Sequence, residues 1–267
     1  MNVWAVYFSA TGTTKRIVTA IAQTLCRRAG VPCREFDFTL PAARNGWPEF
    51  APGDLVVFGV PVYAGRVPNV LLKYLGTAMG NGAFAVPVVL YGNRNFDDAL
   101  IELRDILADH GFLPFAAAAF VGEHAFSYEL AKGRPDERDL RRAEEFAERI
   151  FKSRTGKCAT VDVPGTPRPY RGYYMPHDGA GNPIDIRKIK PLTSERCDAC
   201  GECVGVCPVG GISRENVREC TGICIKCGAC VKGCHRHAKY FEDEGYLCHL
   251  RQLEREFGER REPELFL

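Results

Sequence analysis

Ten of the chain's thirteen cysteines fall between Cys197 and Cys248, and eight of them stand in one spacing written twice. Cys197-x2-Cys200-x2-Cys203-x3-Cys207-Pro208 is followed by Cys224-x2-Cys227-x2-Cys230-x3-Cys234, with His235 in the place of the proline. A segment this rich in Cys, Gly and Val has too little apolar bulk for an ordinary core, so residues 191–245 need a metal to fold. Three thiolates at two-residue spacing wrap a compact turn around three corners of an iron–sulfur cube, and the fourth, three residues on, reaches the neighbouring cluster. The pattern predicts two 4Fe–4S clusters. Cys197, Cys200, Cys203 and Cys234 would hold one; Cys224, Cys227, Cys230 and Cys207 the other. Tetrahedral zinc takes four ligands in two pairs, and a disulfide scaffold belongs in a small secreted chain.

The spacing Cys220-x3-Cys224-x2-Cys227 also matches the cluster motif of radical S-adenosylmethionine enzymes. Those enzymes build a large partial barrel after the motif, and only 40 residues follow Cys227 here, so that reading is set aside. Cys220 is expected to be a bystander thiol, and Cys26, Cys33, Cys158 and Cys248 small core residues. His235 and His237 are expected on an exposed face near the second cluster.

Composition bounds the remainder. Among 267 residues, Lys+Arg 35 against Asp+Glu 33 leaves a net +2, too balanced for a nucleic-acid grip or a charge anchor on a membrane. The longest apolar runs, 55–64 and 113–122, are far short of the roughly 18 residues of a membrane span. Met1 to Ser9 has no basic n-region and no cleavage site, so a cytoplasmic protein is expected. Residues 190–245 carry eight Lys/Arg and eight Asp/Glu, which suits a fixed internal relay better than an acidic diffusing carrier.

Residues 1–152 alternate short apolar runs (3–8, 33–38, 54–60, 85–91, 113–121) with helical patterns (14–28, 68–78, 95–110, 135–152). This predicts βαβ units and a five-stranded parallel sheet covered on both faces. Residues 153–190 are rich in Pro and Gly, with Tyr170, Tyr173 and Tyr174 among them, and predict a packed connector. A charged helical tail, 246–267, carries Leu247, Leu250, Leu253 and Phe257 and would lie back on either half.

The first strand runs into Ser9-Ala10-Thr11-Gly12-Thr13-Thr14 and then a helix. Free amides and the helix dipole make that turn an anion site, and its four hydroxyls suit a phosphate; a capping cluster uses the same amides. Two further loops, Pro61-Val62-Tyr63-Ala64-Gly65-Arg66 and Gly92-Asn93-Arg94-Asn95-Phe96, converge with it at the carboxyl edge of a 2-1-3-4-5 sheet.

These loops resemble the FMN site of flavodoxins, and the whole chain resembles the flavodoxin–ferredoxin fusion proteins over 1–152 and 191–245. The resemblance implies an α/β, flavodoxin-like doubly wound sheet followed by a small α+β bacterial ferredoxin-like domain. It implies that Ser9, Thr11, Gly12, Thr13 and Thr14 hold the FMN phosphate. Tyr63 would lie on a ring face, with Pro61, Val62, Ala64 and Gly65 shaping its loop. Gly92, Asn93 and Asn95 would approach the pyrimidine edge, and Phe96 would close the side. Arg66 and Arg94 would be the cations nearest the ring, on it or at a solvated rim. Such a protein would relay low-potential electrons between its clusters and FMN, to or from an external redox protein such as a ferredoxin or a redox enzyme. A flavin-dependent reductase of a quinone-like small molecule is the second reading, and a redox sensor the third. Whether the chain is an enzyme, and whether it forms a homodimer, stay open.

Overall fold

A computed structural model describes residues 1–153, 160–178 and 181–267. Cys158 lies outside them. Strands β1 (Val3–Tyr7), β2 (Cys33–Asp37), β3 (Leu55–Pro61) and β4 (Phe84–Tyr91) alternate with helices α1 (Thr13–Ala29), α2 (Asn69–Leu75) and α3 (Ala99–Asp109). The fifth apolar run splits at the Phe115–Ala116 step into β5 (Leu113–Pro114) and β6 (Ala117–Val121), and α4 (Glu137–Ser153) follows.

The strands lie in the order β2-β1-β3-β4-β6, all parallel. This is the doubly wound, flavodoxin-like arrangement. Both faces are covered, and the two-residue period along β1 shows how. Val3, Ala5 and Tyr7 enter one core with Ile17, Val18, Ile21 and Leu25 of α1 and Phe146 and Ile150 of α4. Trp4, Val6 and Phe8 enter the other with Phe38, Phe58, Leu71, Leu100 and Leu103. Burial of each such side chain contributes about 1.5–3 kcal/mol. Cys26 joins the first core, whereas Cys33 is exposed at the start of the edge strand, contrary to its expected burial.

One strand was not legible in the pattern. The last residues form β9 (Glu264–Phe266), which pairs antiparallel with β6 in the register Ala118↔Leu265 and so covers that sheet edge. Between these ends, residues 160–178 pack along the sheet domain. Val161 and Val163 are buried in the second core, and Asp98 accepts backbone hydrogen bonds from Thr166 and Arg171, each 2.8 Å.

The cysteine-rich segment has little regular structure. β7 (Leu192–Thr193) pairs with β8 (Lys239–Tyr240), and two single-turn helices, α5 (Glu202–Gly205) and α6 (Ala229–Lys232), stand inside the two motifs. The two motifs fold alike. Ala199 and Lys226 share a left-handed φ (59° and 53°), as do Gly201 and Gly228 (81° and 79°). Helix α7 (Glu244–Glu256), capped by Asp243, which accepts from Tyr246 N at 2.9 Å, then runs back toward the sheet. Among the described residues no helix is long and apolar enough to cross a membrane.

Candidate functional site

Each cysteine quartet lines its own small cage. Cys197, Cys200, Cys203 and Cys234 surround one, with Val217, Ala238 and Lys239. Cys207, Cys224, Cys227 and Cys230 surround the other, with Ile212, Ile223 and Phe241. The fourth cysteine of each run does cross to its neighbour. Cys220 also stands at the wall of the second cage, closer to the chemistry than a bystander was expected to be. Burial pushes the Cys227 thiol up to about 12 and raises Cys224 and Cys230 as well. Protonated thiols are thus favoured until a metal displaces the protons. His235 and His237 are exposed, and His235 meets Asp198 Oδ2 at 2.9 Å and Glu202 Oε2 at 3.2 Å.

The second cage shares a wall with a much larger cavity. A space of about 620 Å³ opens at the carboxyl edge of the sheet. That is in the range of small-molecule and cofactor sites, about 300–1,000 Å³. Its base is formed by Thr11, Thr13, Thr14, Pro61, Val62, Tyr63, Ala64, Gly65, Gly92 and Asn95, ten of the fourteen residues expected around a flavin. Cys224 and Cys227 border it too, and burial beside them raises the Tyr63 phenol.

The phosphate end fits the group. Helix α1 begins at Gly12, whose φ of 82° turns the chain into the helix, and Gly12 gives no side-chain cap. The Ser9 hydroxyl accepts from Lys15 N at 3.0 Å and braces the turn from outside the cavity. Threonine hydroxyls and the positive end of a 17-residue helix remain at the cavity. The turn after β3 is equally built. Tyr63 and Arg66 exchange backbone hydrogen bonds of 3.0 and 3.1 Å, and Ala64 and Gly65 both hold left-handed φ (51° and 78°). A Cβ at Gly65 would collide with Asp97.

Four of the residues expected around the flavin do not line the cavity. Ser9 and Gly12 shape the first loop without lining the cavity. Asn93 is buried, and its amide holds the tail: Nδ2 donates to Phe257 O and to Glu259 O (2.7 Å), and Oδ1 accepts from Arg261 N (3.4 Å). Phe96 lies in the core against Tyr91, with ring centroids 5.6 Å apart. Of the two arginines, Arg66 is turned away. Its guanidinium forms two bonds to the buried Glu102 carboxylate, 2.8 and 2.6 Å, between Tyr170 and Tyr173. Arg94 lines the cavity, pairs with Asp97 and lies 4.3 Å over the Tyr174 ring.

The remaining walls come from residues outside the three loops of the resemblance. His124 and Phe126 stand on the loop after β6, and Tyr174 and Pro176 on the connector. Lys226 stands in the second motif, and His249 and Leu253 on α7. The loop after β6 had a signal, since every loop at the carboxyl edge of a parallel sheet points the same way. The others are long-range and had none. His124 Nδ1 accepts from Phe126 N at 3.1 Å, which fixes the ring as the Nε2–H tautomer. Burial, with Lys232, His249 and Arg94 nearby, lowers its pKa to about 3. Burial and Arg94 lower His249 to about 4. Both imidazoles are neutral at pH 7.

The two halves are fastened together at this face. Arg44 Nη2 donates to Pro208 O at 2.8 Å, Lys232 Nζ pairs with Glu123 and donates to Ser127 O at 2.6 Å, and Ile225 packs into the sheet domain's core. A Cβ on Gly228 would stand 2.7 Å from Ala125 O, so the second motif and the loop after β6 are in backbone contact.

Comparison with known proteins agrees with this anatomy. The family model described as a flavodoxin domain matches residues 5–83, and that described as a 4Fe-4S binding domain matches residues 191–213, the first motif. Among solved structures, the Streptococcus pneumonia TIGR4 flavodoxin is 18% identical, covering 58% of this chain and 100% of its own, at a TM-score of 0.39. A flavodoxin from the domain Archaea is 15% identical over 57% of this chain and 98% of its own (TM-score 0.39). Oxidised flavodoxin 1 from Bacillus cereus is 12% identical over the same shares (0.38). No curated protein matches the chain. A flavodoxin domain and a 4Fe-4S binding domain are here joined in one chain, which is consistent with a flavodoxin–ferredoxin fusion and supports an iron–sulfur flavoprotein in electron transfer.

Proposed function

We propose that the chain relays electrons in a fixed order. They enter from an external redox protein at the cluster held by Cys197, Cys200, Cys203 and Cys234. They pass to the cluster held by Cys207, Cys224, Cys227 and Cys230, and from it to FMN in the large cavity. The observation that carries this reading is the shared wall: Cys224 and Cys227 border both the second cage and the cavity, and no cysteine of the first cage does. In this division residues 1–152 hold the flavin, 191–245 the clusters, and 153–190 join them. FMN exchanges one or two electrons and each cluster one, so the pair couples one-electron supply to two-electron use. The protein's own part is to hold the phosphate at the start of α1, flank the ring with the Tyr63 turn and the Asn95 loop, and keep the clusters at fixed separation.

The test is anaerobic purification with iron and flavin analysis, followed by reduction through a small reduced ferredoxin. Two cubane clusters mean about eight iron atoms per chain. Cys203→Ser should leave about four iron atoms and full FMN, with flavin reduction by ferredoxin lost. Flavin reduction at the unaltered rate in Cys203→Ser would sink the ordered relay.

A second reading, a flavin-dependent reductase of a small molecule, draws on the cavity's neutral His124 and His249, which suit a carbonyl or quinone oxygen. Steady turnover of a quinone with reduced ferredoxin as donor would favour it.

A further inference from the structure

Two lysines are buried among the described residues, and each stands in the wall of one cysteine cage. Lys239, 3% exposed, belongs to the cage of Cys197, Cys200, Cys203 and Cys234. Lys226, 7% exposed, belongs to that of Cys207, Cys224, Cys227 and Cys230. Neither forms an ion pair among the described residues. Lys239 Nζ donates to Thr193 Oγ1 and Val217 O, both at 2.7 Å, and to Arg218 O at 3.4 Å. Lys226 Nζ donates to Arg187 O at 2.6 Å and to Cys224 O at 3.0 Å. Asp185, whose charge reaches Lys226, is itself paired with Arg187.

These partners are all acceptors, which suits an ammonium with three N–H donors and no lone pair. They satisfy its hydrogens but not its charge. A buried cation without an anion is costly, and folded proteins place one opposite a compensating charge. The anion that each lysine faces is its cage. Lys239 Nζ and Cys203 Sγ share one acceptor, Val217 O, at 2.7 and 3.8 Å, so ammonium and sulfur are neighbours. Lys226 holds the carbonyl of a cage cysteine, Cys224. Cysteines bound to iron are thiolates, and a cubane held by four of them is an anion that gains a further unit of negative charge on reduction.

We propose that Lys239 and Lys226 are the counter-ions of the two clusters, one each, and that each raises the reduction potential of its own cluster. This rests on the two-cluster reading of the cages. A charge acts through space, so neither nitrogen has to touch the cluster, and burial leaves it little screened by salt. The two cations reach their cages by different routes. Lys226 stands between the first two cysteines of its motif, where the first motif has Ala199, and Lys239 stands five residues after Cys234, where the first motif has Ile212. The repeat of the cysteine spacing therefore does not account for the pairing.

The experiment replaces each lysine in the full chain by Met, Gln and Arg, and follows an anaerobic redox titration by EPR with iron content alongside. Removing one charge a few ångströms from the accepted electron should change the reduced-to-oxidised ratio of that cluster at fixed potential by at least about tenfold. For one electron this lowers the midpoint by about 59 mV. Lys239→Met and Lys239→Gln should lower one cluster's midpoint, and Lys226→Met and Lys226→Gln the other's. Lys239→Arg and Lys226→Arg keep the charge and should stay near wild type. Iron should remain near about eight atoms per chain throughout. Unmoved midpoints in the Gln variants would overturn the proposal, as would movement of the same step from both positions. An Arg variant that shifts as far as Met would overturn it too, since that marks packing rather than charge. If a Met variant fails to take up iron, Gln against Arg still decides. Wild-type protein with about four iron atoms per chain would instead overturn the two-cluster reading, and this proposal with it.

Discussion

One amide contributes to holding the roof over the cavity, and removing it should loosen the roof by a predictable amount. Asn93 sits at φ 69°, a left-handed conformation that Asn tolerates and β-carbon residues in general do not. Its Nδ2 makes two firm bonds to carbonyls of the segment after α7, and Oδ1 a longer third at 3.4 Å. At a net ~0.5–1.5 kcal/mol for each firm bond, and little for the third, Asn93→Gly should cost the docking of the tail about 1–3 kcal/mol. Glycine keeps the backbone conformation, so this figure isolates the amide. Asn93→Ala adds about 1–2 kcal/mol of left-handed strain. Amide hydrogen exchange across 244–261 reads the docking directly. At 1.4 kcal/mol per tenfold, Asn93→Gly should speed exchange there roughly 5- to 150-fold, with little change in β1 or β3. FMN affinity should fall alongside, since His249 and Leu253 of α7 line the cavity. Unchanged tail protection in Asn93→Gly would show that β9, the Arg260 pairs with Asp136 and Asp139 and the Arg134 bond to Arg261 O hold the tail without the amide, and the argument for the amide would fail.

Two further outcomes follow from the base of the site. Gly12→Val meets no atom within 4 Å, so its cost is the backbone at φ +82°; the turn must relax, and FMN affinity should drop more than about tenfold with iron content unchanged, while Gly12→Asn keeps most of it. His124 has its folded pKa lowered to about 3 against about 6.5 unfolded, so above pH 6.5 it adds nothing to pH dependence. As pH falls below 6.5 the unfolded chain takes a proton that the folded ring refuses, and stability drops by about 1 kcal/mol by pH 5.5. His124→Gln should lose less of its unfolding midpoint between pH 7.5 and 5.5 than wild type; equal losses would count against a buried neutral ring.

What could be read in the chain beforehand, and what could not, divides along the range of the interactions. Thr11, Thr13, Thr14 and the Tyr63 turn line the cavity because a parallel sheet sends every strand's following loop to one edge, a rule that acts within a few residues of each strand. Asn93 and Phe96 sit on the same loop as Asn95, yet local pattern cannot say which side chain turns to a ligand. Asn93 is claimed by carbonyls 164 and 166 residues away, and Phe96 by the core. Arg66 looked like a cation beside the ring until Glu102, on the next helix but one, took its guanidinium. β9 is three residues long, too short to carry a period of two.

The order proposed for the two clusters can be read in the chain, in the residues between the cysteines rather than in the cysteines. Their spacing is the same in both motifs, so the spacing alone leaves either motif free to face the flavin. The intervening positions differ. Where the first motif has Asp198 and Glu202, the second has Ile225 and Ala229. A carboxylate cannot be placed against an apolar sheet edge without an ion partner, whereas Ile and Ala gain from burial there. Asp198 and Glu202 are exposed, Ala229 is buried, and Ile225 packs into the sheet domain's core. The same asymmetry leaves the first motif with a hydrated, charged rim around Cys200, which is itself exposed. In the proposed relay a docking redox protein is steered by such a rim, and the motif that borders the cavity could not offer one without unmaking its own contact with Ala125 and the core. Exchanging the two pairs, Ile225→Asp and Ala229→Glu with Asp198→Ile and Glu202→Ala, should therefore separate the halves and leave the clusters in place: iron content near wild type, FMN binding weakened, and reduction of the flavin by the clusters lost. Retention of fast flavin reduction in that variant would mean that the cysteines alone set the order.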